Sequence, residues 1–166
     1  MAETKELLAT FRFTVTLTRS PGGGAGGPAL LGTGAFAECT GLDLEADIKE
    51  YAEGGRNFGM IRMVGRSKST PLVLKRGMVV AADGGIVDSA LWDWISAVVT
   101  GRLPIPRYDG LVQVHDPGMQ RVLAQWSFER GLPGKVSGPV LNAKTGEVAI
   151  EELQILHEGL RMVVDL

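Results

Sequence analysis

The chain has 166 residues, 45% of them hydrophobic and 22% charged, with a formal net charge of −2. That is enough length for one domain with a real core, in an ordinary soluble balance. It excludes the strong basic excess of a nucleic-acid binder and any run of about 18 apolar residues able to span a bilayer.

Phe11, Phe13, Val15 and Leu17 alternate with Arg12, Thr14, Thr16 and Thr18, the period of a half-buried strand. Residues 21–28, Pro-Gly-Gly-Gly-Ala-Gly-Gly-Pro, concentrate part of an excess of 23 glycines. With little side-chain surface to bury, they read as a flexible loop. Ala35 to Thr40 reads as a short strand that stops at Gly41. Leu42, Leu44, Ala46 and Ile48 then alternate with Asp43, Glu45, Asp47 and Lys49, so three carboxylates line one side of a ribbon. From Gly54 to Thr70 the apolar pattern breaks down, which predicts a long loop or an extended hairpin. Leu72 to Lys75 resumes as a strand, stopped by Gly77.

One helix is predicted from about Ser89 to Thr100. Leu91, Trp94, Ile95 and Val98 recur at three- and four-residue steps, as one buried helical face requires. Asp88 or Ser89 can cap its start, and Gly101 stands where a left-handed terminal glycine belongs. A hairpin follows: Leu111 to His115, a turn at Asp116-Pro117-Gly118-Met119, and a second arm with Val122, Ala124, Trp126 and Phe128 on one face. Proline second and glycine third in the turn suit type II. Gly131 to Gly146 is loop-like. Ile150 to His157 fits either a helix or a strand, and the strand is favoured. The expected core is Phe11, Phe13, Val15, Leu91, Trp94, Ile95, Val98, Val122, Trp126 and Phe128. Six or seven strands and one helix predict a mainly β, single-domain sandwich or barrel of antiparallel sheets with a flanking helix.

Chemistry is sparse along this chain. The glycine run lacks the Gly-Lys-Ser/Thr ending of a phosphate loop. His115 and His157 lie in separate elements, far from the single Cys39, and make no zinc set. Asp43, Glu45 and Asp47 recur about 7 Å apart along a strand, too far for adjacent ligands to hold one ion. No Ser-His-Asp signature or nucleophile elbow is present. Neither catalytic residues, a metal site nor a cofactor is expected. Cys39 alone excludes an intramolecular disulfide and fits a reducing cytoplasm. Met1 to Thr10 show no secretion-signal pattern, so cytoplasmic assembly is expected.

Several segments, in order, resemble one family. Glu50-Tyr51-Ala52-Glu53-Gly54-Gly55-Arg56-Asn57 resembles the "EY-x-EGG-x-N" signature of the phage tail tube family of the T-even type. Leu72-Val73-Leu74-Lys75-Arg76-Gly77 resembles its "LxLKRG" strand, and Leu91-Trp92-Asp93-Trp94 its helix. Trp126-Ser127-Phe128 with Gly131-Leu132-Pro133-Gly134-Lys135 resembles its "WxFxxAxPxK" segment. Phe36 to Leu42 is similar to its early "FxEvsGL". Ala149 to Leu153 and His157 to Leu160 are similar to its closing strand. The glycine-rich insertion at 21–28 and Gly131, where the family often has alanine, depart from the pattern.

The resemblance implies two packed β-sheets with one helix, a fold similar to the haemolysin-coregulated protein of type VI secretion. It implies a structural subunit of the inner tube of a contractile phage-tail-like injection system, with six-fold rings stacked into a hollow tube that delivers cargo. The implied partners are further copies of the chain, a surrounding sheath protein, baseplate or spike and terminal cap proteins, and cargo in the lumen. Neither specific nucleic-acid binding nor direct membrane insertion is implied.

Charge order adds two expectations. From Asp43 to Glu53 there are five acids and one base, and from Gly54 to Gly77 six bases and no acid. Either the two limbs neutralise each other within one hairpin, or the basic limb reaches a neighbour. The expected contact residues are Tyr51, Gly54, Gly55, Arg56, Asn57, Phe58, Met60, Arg62, Arg66 and Lys68. Asp43, Glu45 and Asp47 are expected to line an acidic bore. Two other readings remain: a tube-initiator or baseplate-proximal ring protein of the same machine, and a monomeric β-barrel that binds a small ligand.

Overall fold

The computed structural model describes residues 7–22, 29–31, 36–55, 59–80 and 84–163. Among them run nine strands and one helix: β1 (Phe13–Arg19), β2 (Phe36–Thr40), β3 (Leu44–Tyr51), β4 (Ile61–Ser69), β5 (Leu72–Gly77), α1 (Ala90–Val99), β6 (Tyr108–His115), β7 (Val122–Ser137), β8 (Ile150–Leu156) and β9 (Gly159–Val163). All pairings are antiparallel. A seven-stranded sheet runs in the order β1-β6-β7-β8-β5-β2, with β9 continuing β8 along the same edge of β7, and β3 and β4 form a separate two-stranded sheet.

The 16-residue β7 belongs to both halves of the large sheet. Its first half pairs with β6 and β9, and Leu132 to Ser137 pair with β8. Between them Arg130 adopts a left-handed conformation at φ 51, which a non-glycine residue reaches only when its surroundings hold it there. Asp109 does so: its Oδ1 accepts from the Arg130 N–H at 2.9 Å and from Ser20 Oγ at 2.5 Å. The sheet thus folds over on itself. Val15 and Leu17 of β1, Leu72 and Leu74 of β5, Val112, Phe128, Leu153, Ile155, and Leu91 and Trp94 of α1 share one buried cluster. Period-two alternation explains this directly, since inward residues of each strand meet those of the facing half.

Just ahead of helix α1, Asp88 Oδ1 accepts from the Ala90 N–H at 3.0 Å. The side chain of Ser89 makes no cap bond to the backbone. Gly101, at φ +66, follows the last turn. The Trp94 indole N–H donates to the Pro106 carbonyl at 2.8 Å and its ring meets Tyr108 edge-on, 4.8 Å between centroids.

The structure corrects several expectations. Phe11 lies before β1 and is exposed, because the burial register starts at Phe13. Phe13 and Trp126 are partly buried against the core, and Ile95, Val98 and Val122 are half-buried rather than fully enclosed. The stretch from Gly131 is not loop-like: β7 continues to Ser137, and the left-handed Arg130 lets the strand bend without ending. The segment from Gly54 to Thr70, expected as a long loop or an extended hairpin, takes the hairpin form, β4 being the arm that pairs with β3. In the turn at 116–119, Met119 rather than Gly118 takes the left-handed conformation, at φ 57. Asp116 supplies the reason, its Oδ1 accepting from the Gln120 and Arg121 N–H groups at 2.8 and 3.0 Å.

Candidate assembly site

Strands β5 and β8 and the start of α1 meet in one polar knot around a buried ion pair. Arg76 of β5 is 1% exposed and Glu151 of β8 equally so, and the two are direct cross-strand partners. Arg76 Nε donates to Glu151 Oε1 at 2.6 Å, Arg76 Nη1 to Asp88 Oδ2 at 3.1 Å, and the Trp92 indole N–H to Glu151 Oε2 at 3.0 Å. Buried charges persist only when paired and hydrogen-bonded. Here the pairing fastens the start of α1 to the second half of the sheet. This knot was not anticipated. Its signal was a charge at an inward strand position: Arg76 continues Leu72 and Leu74, and Glu151 precedes Leu153 and Ile155 at the same spacing.

Among the described residues the β3–β4 hairpin shares no backbone ladder with the large sheet. Leu44, Ile48 and Val64 are exposed, Val64 to 82%, and so are Tyr51, Met60 and Met63. Ile48 stands opposite Val64, and Glu45 opposite Lys68. An irregularity near Asp47, opposite Gly65 and Arg66, breaks the register between Ala46 and Ile48. The limbs pair internally in part: Arg62 Nε donates to Glu50 Oε1 at 3.2 Å and Lys68 Nζ to Glu45 Oε1 at 3.5 Å. Arg66 is exposed and makes no ion pair with another described residue. Gly54 and Gly55 are exposed at the hairpin end, while Arg56, Asn57 and Phe58 lie outside the described residues. Asp43 precedes β3, and Glu45 and Asp47 lie on it, so the acidic trio sits on this projection and not on the large sheet.

In the half-sheet β1-β6-β7-β9, the outer edge of β9 has no backbone partner among the described residues, nor does that of β1 from Phe13 to Thr16. Further along β1, residues 29–31 cover the edge through Leu31 N–H to the Leu17 carbonyl and Arg19 N–H to the Ala29 carbonyl. Unpaired edges invite another strand.

The two histidines stay apart. His115 Nε2 lies 3.0 Å from Thr14 Oγ1 on the solvent face of β6. His157 is buried against Phe128, with neither ring nitrogen hydrogen-bonded. Burial pushes its pKa below the usual value, opposed in part by the nearby Thr70 backbone, which makes no hydrogen bond of good geometry to the ring. Burial likewise pushes the Cys39 thiol up to about 11. Beside Cys39 an apolar cleft of about 270 Å³ opens between Phe13, Leu42, Val112, Val114 and Trp126. Among the described residues no group of three His, Cys, Asp or Glu side chains could hold a metal ion, and no helix is long and apolar enough to cross a membrane.

The described residues thus pair a folded-over β-sheet and one helix with a separate hairpin. The chain belongs to the family of the T4-like virus tail tube protein gp19, whose model matches residues 9–161. No curated protein sequence matches it. The fold is similar to a chain of the anti-feeding prophage baseplate, 6-fold symmetrised, with TM-score 0.76, 19% identity, and 96% of this chain and 97% of that one covered. It is similar to a chain of the sheath–tube complex of the extracellular contractile injection system PVC in its extended state, at 0.74 and 21%, covering 96% and 93%. A chain of the anti-feeding prophage cap, which terminates the tube, gives 0.77 and 20%, covering 98% and 95%. The relation to haemolysin-coregulated proteins is more distant: Hcp1 of E. coli EAEC 042 gives 0.50 and 14%, covering 90% and 89%. Family and fold are those of structural tube proteins rather than of enzymes.

Proposed function

We propose that this chain is a subunit of the inner tube of a contractile phage-tail-like injection system, forming hexameric rings that stack into a hollow, cargo-carrying tube inside a sheath. The observation that carries this reading is the half-sheet β1-β6-β7-β9, with backbone at β9 and at the first half of β1 that is unpaired among the described residues. Pairing β9 of one copy with β1 of the next satisfies both edges and closes a ring, the heterologous arrangement that cyclic symmetry permits. The apolar and charged hairpin then serves as the contact to a neighbouring copy or ring. Leu44, Ile48 and Val64 supply apolar area, and Arg66 a cation without an ion-pair partner among the described residues.

Negative-stain electron microscopy of the purified protein tests this directly. Rings or tubes are expected, and uniformly monomeric particles, even with sheath and baseplate proteins added, overturn the reading. Arg62→Glu with Arg66→Glu is expected to stop stacking while leaving the subunit folded, since exposed ion pairs are worth only about 0–1 kcal/mol. Normal tubes from that double variant remove the hairpin from the contact.

A second reading, a terminal or baseplate-proximal ring protein of the same machine, is supported by the equally close likeness to cap and baseplate chains. Copy number per particle separates the two: many per tube length for a main tube subunit, a single ring for a terminal one.

A further inference from the structure

The two halves of the large sheet turn different surfaces to solvent. On the half β5-β8-β2 the outward positions carry Lys75, Glu38 and Glu152, with Lys75 Nζ donating to Glu38 Oε1 at 2.9 Å. This is an ordinary charged exterior. On the half β1-β6-β7-β9 the outward positions of the strand middles are Thr14, Thr16, Leu111, Gln113, Gln125 and Ser127. None of these is ionisable, and most of their polar groups are already engaged. Gln113 Nε2 donates to Gln125 Oε1 at 2.7 Å, Thr14 meets His115, and Ser127 Oγ accepts from Arg161 Nε at 3.1 Å.

Fixed charge on this side lies toward its ends: at one the exposed Arg12 continues the face of Thr14 and Thr16, and at the other the charges are matched. Arg161 Nη2 pairs with Glu129 at 2.7 Å, Glu158 with Arg107 at 2.8 Å and with Arg130 at 2.9 Å, and Asp109 is held by Ser20 and the Arg130 N–H. Three arginines and three carboxylates leave no net charge.

We infer that this face, whose middle is uncharged and bears mainly hydroxyl and amide groups, is the wall of the bore, and that it suits a polypeptide cargo, which that middle neither holds nor repels by charge. The inference rests on the ring-and-tube reading above. In a confined channel, repeated like charges sum to a field that concentrates the opposite sign. A polypeptide carries both signs, so a charged wall of either sign retains part of it. A nucleic acid is uniformly anionic and is best kept moving by an acidic wall. The acids that could make one, Asp43, Glu45 and Asp47, stand on the hairpin instead.

The test uses tubes of the full chain. In Thr16→Cys tubes, a small maleimide is expected to react and one coupled to a bulky polymer is not, with unsubstituted tubes as the background for Cys39. Fluorescent oligolysine and oligoglutamate are then co-sedimented with tubes at low salt. Thr16→Glu is expected to raise oligolysine retention at least 10-fold over the unsubstituted tube, and Thr16→Lys to do the same for oligoglutamate. Gln125→Glu and Gln125→Lys repeat the comparison should residue 16 fold poorly. Reaction of the bulky maleimide, or a change below 2-fold in both pairs, overturns the bore assignment while leaving the tube reading intact. A protein that forms no rings or tubes overturns both.

Discussion

The Phe128 ring fills the space a side chain at Gly110 would take, the two residues being direct partners across the β6–β7 ladder. A Cβ built on Gly110 stands 2.0 Å from Phe128 Cε1 and Cζ, well inside contact distance. Phe128 is 1% exposed and sits at the centre of the core. Gly110→Ala is therefore expected to destabilise the subunit by about 3 kcal/mol, the upper range for forced overpacking. Gly118→Ala, in the hairpin turn, meets only ordinary contacts from 3.6 Å outward and needs no left-handed conformation, so it is expected to be neutral. Urea denaturation of the two variants checks the contrast.

The buried knot gives a second prediction. Removing one partner of a buried ion pair leaves an uncompensated charge and costs about 3–5 kcal/mol, whereas replacing both with apolar residues is often neutral. Arg76→Met and Glu151→Leu are each expected to lower the denaturation midpoint strongly. The double variant is expected to recover most of the loss, although Asp88 and Trp92 then lose partners. A double-mutant cycle measures the coupling, and additive losses contradict it.

These residues also mark how far the sequence could be read. Where alternation was regular, as in Phe13-Val15-Leu17 or Leu72-Leu74, strand and inward face followed from period alone. Leu91 and Trp94 revealed the buried face of α1 in the same way. Legibility failed where a long-range partner overrode a local signal. Glycine and proline at 131–134 read as a loop, yet Gly131 packs against Ile155, Phe128 and Tyr108, a Cβ there falling 2.8 Å from Ile155. That packing accounts for glycine where the family often has alanine. Asp116 likewise moved the left-handed residue from Gly118 to Met119. On the hairpin the charge pattern was visible in the sequence, but which cations pair internally depends on the β3–β4 register, which no single-strand pattern encodes.

Cys39 yields a chemical prediction. Its thiol is partly buried beside Leu42 and Trp126, and burial raises its pKa to about 11. The thiolate is the reactive form, so at pH 8 very little is present. Reaction with a disulfide reagent is expected to be far slower in the folded subunit than in urea, where the pKa returns toward about 8.5. Equal rates in the two conditions contradict the buried setting.

His157 sets a pH dependence whose sign is fixed by its surroundings. The imidazole is 8% exposed, packs at 5.6 Å from Phe128 and has both nitrogens without hydrogen-bond partners. Burial lowers its pKa below the ordinary 6.5, so between the folded and unfolded values the unfolded chain binds the extra proton. Its contribution to stability is complete above about pH 6.5 and is lost as pH falls through the depressed folded value. The urea midpoint is expected to hold level from pH 8 to 7 and to decline from pH 6.5 to 5.5, a window above most carboxylate titration. His157→Phe keeps an aromatic ring beside Phe128 and removes the titrating group. The variant is expected to lose the decline while retaining the pH 8 midpoint, because an unpaired buried polar group is replaced by an apolar one. An unchanged decline in His157→Phe assigns the pH dependence to another residue.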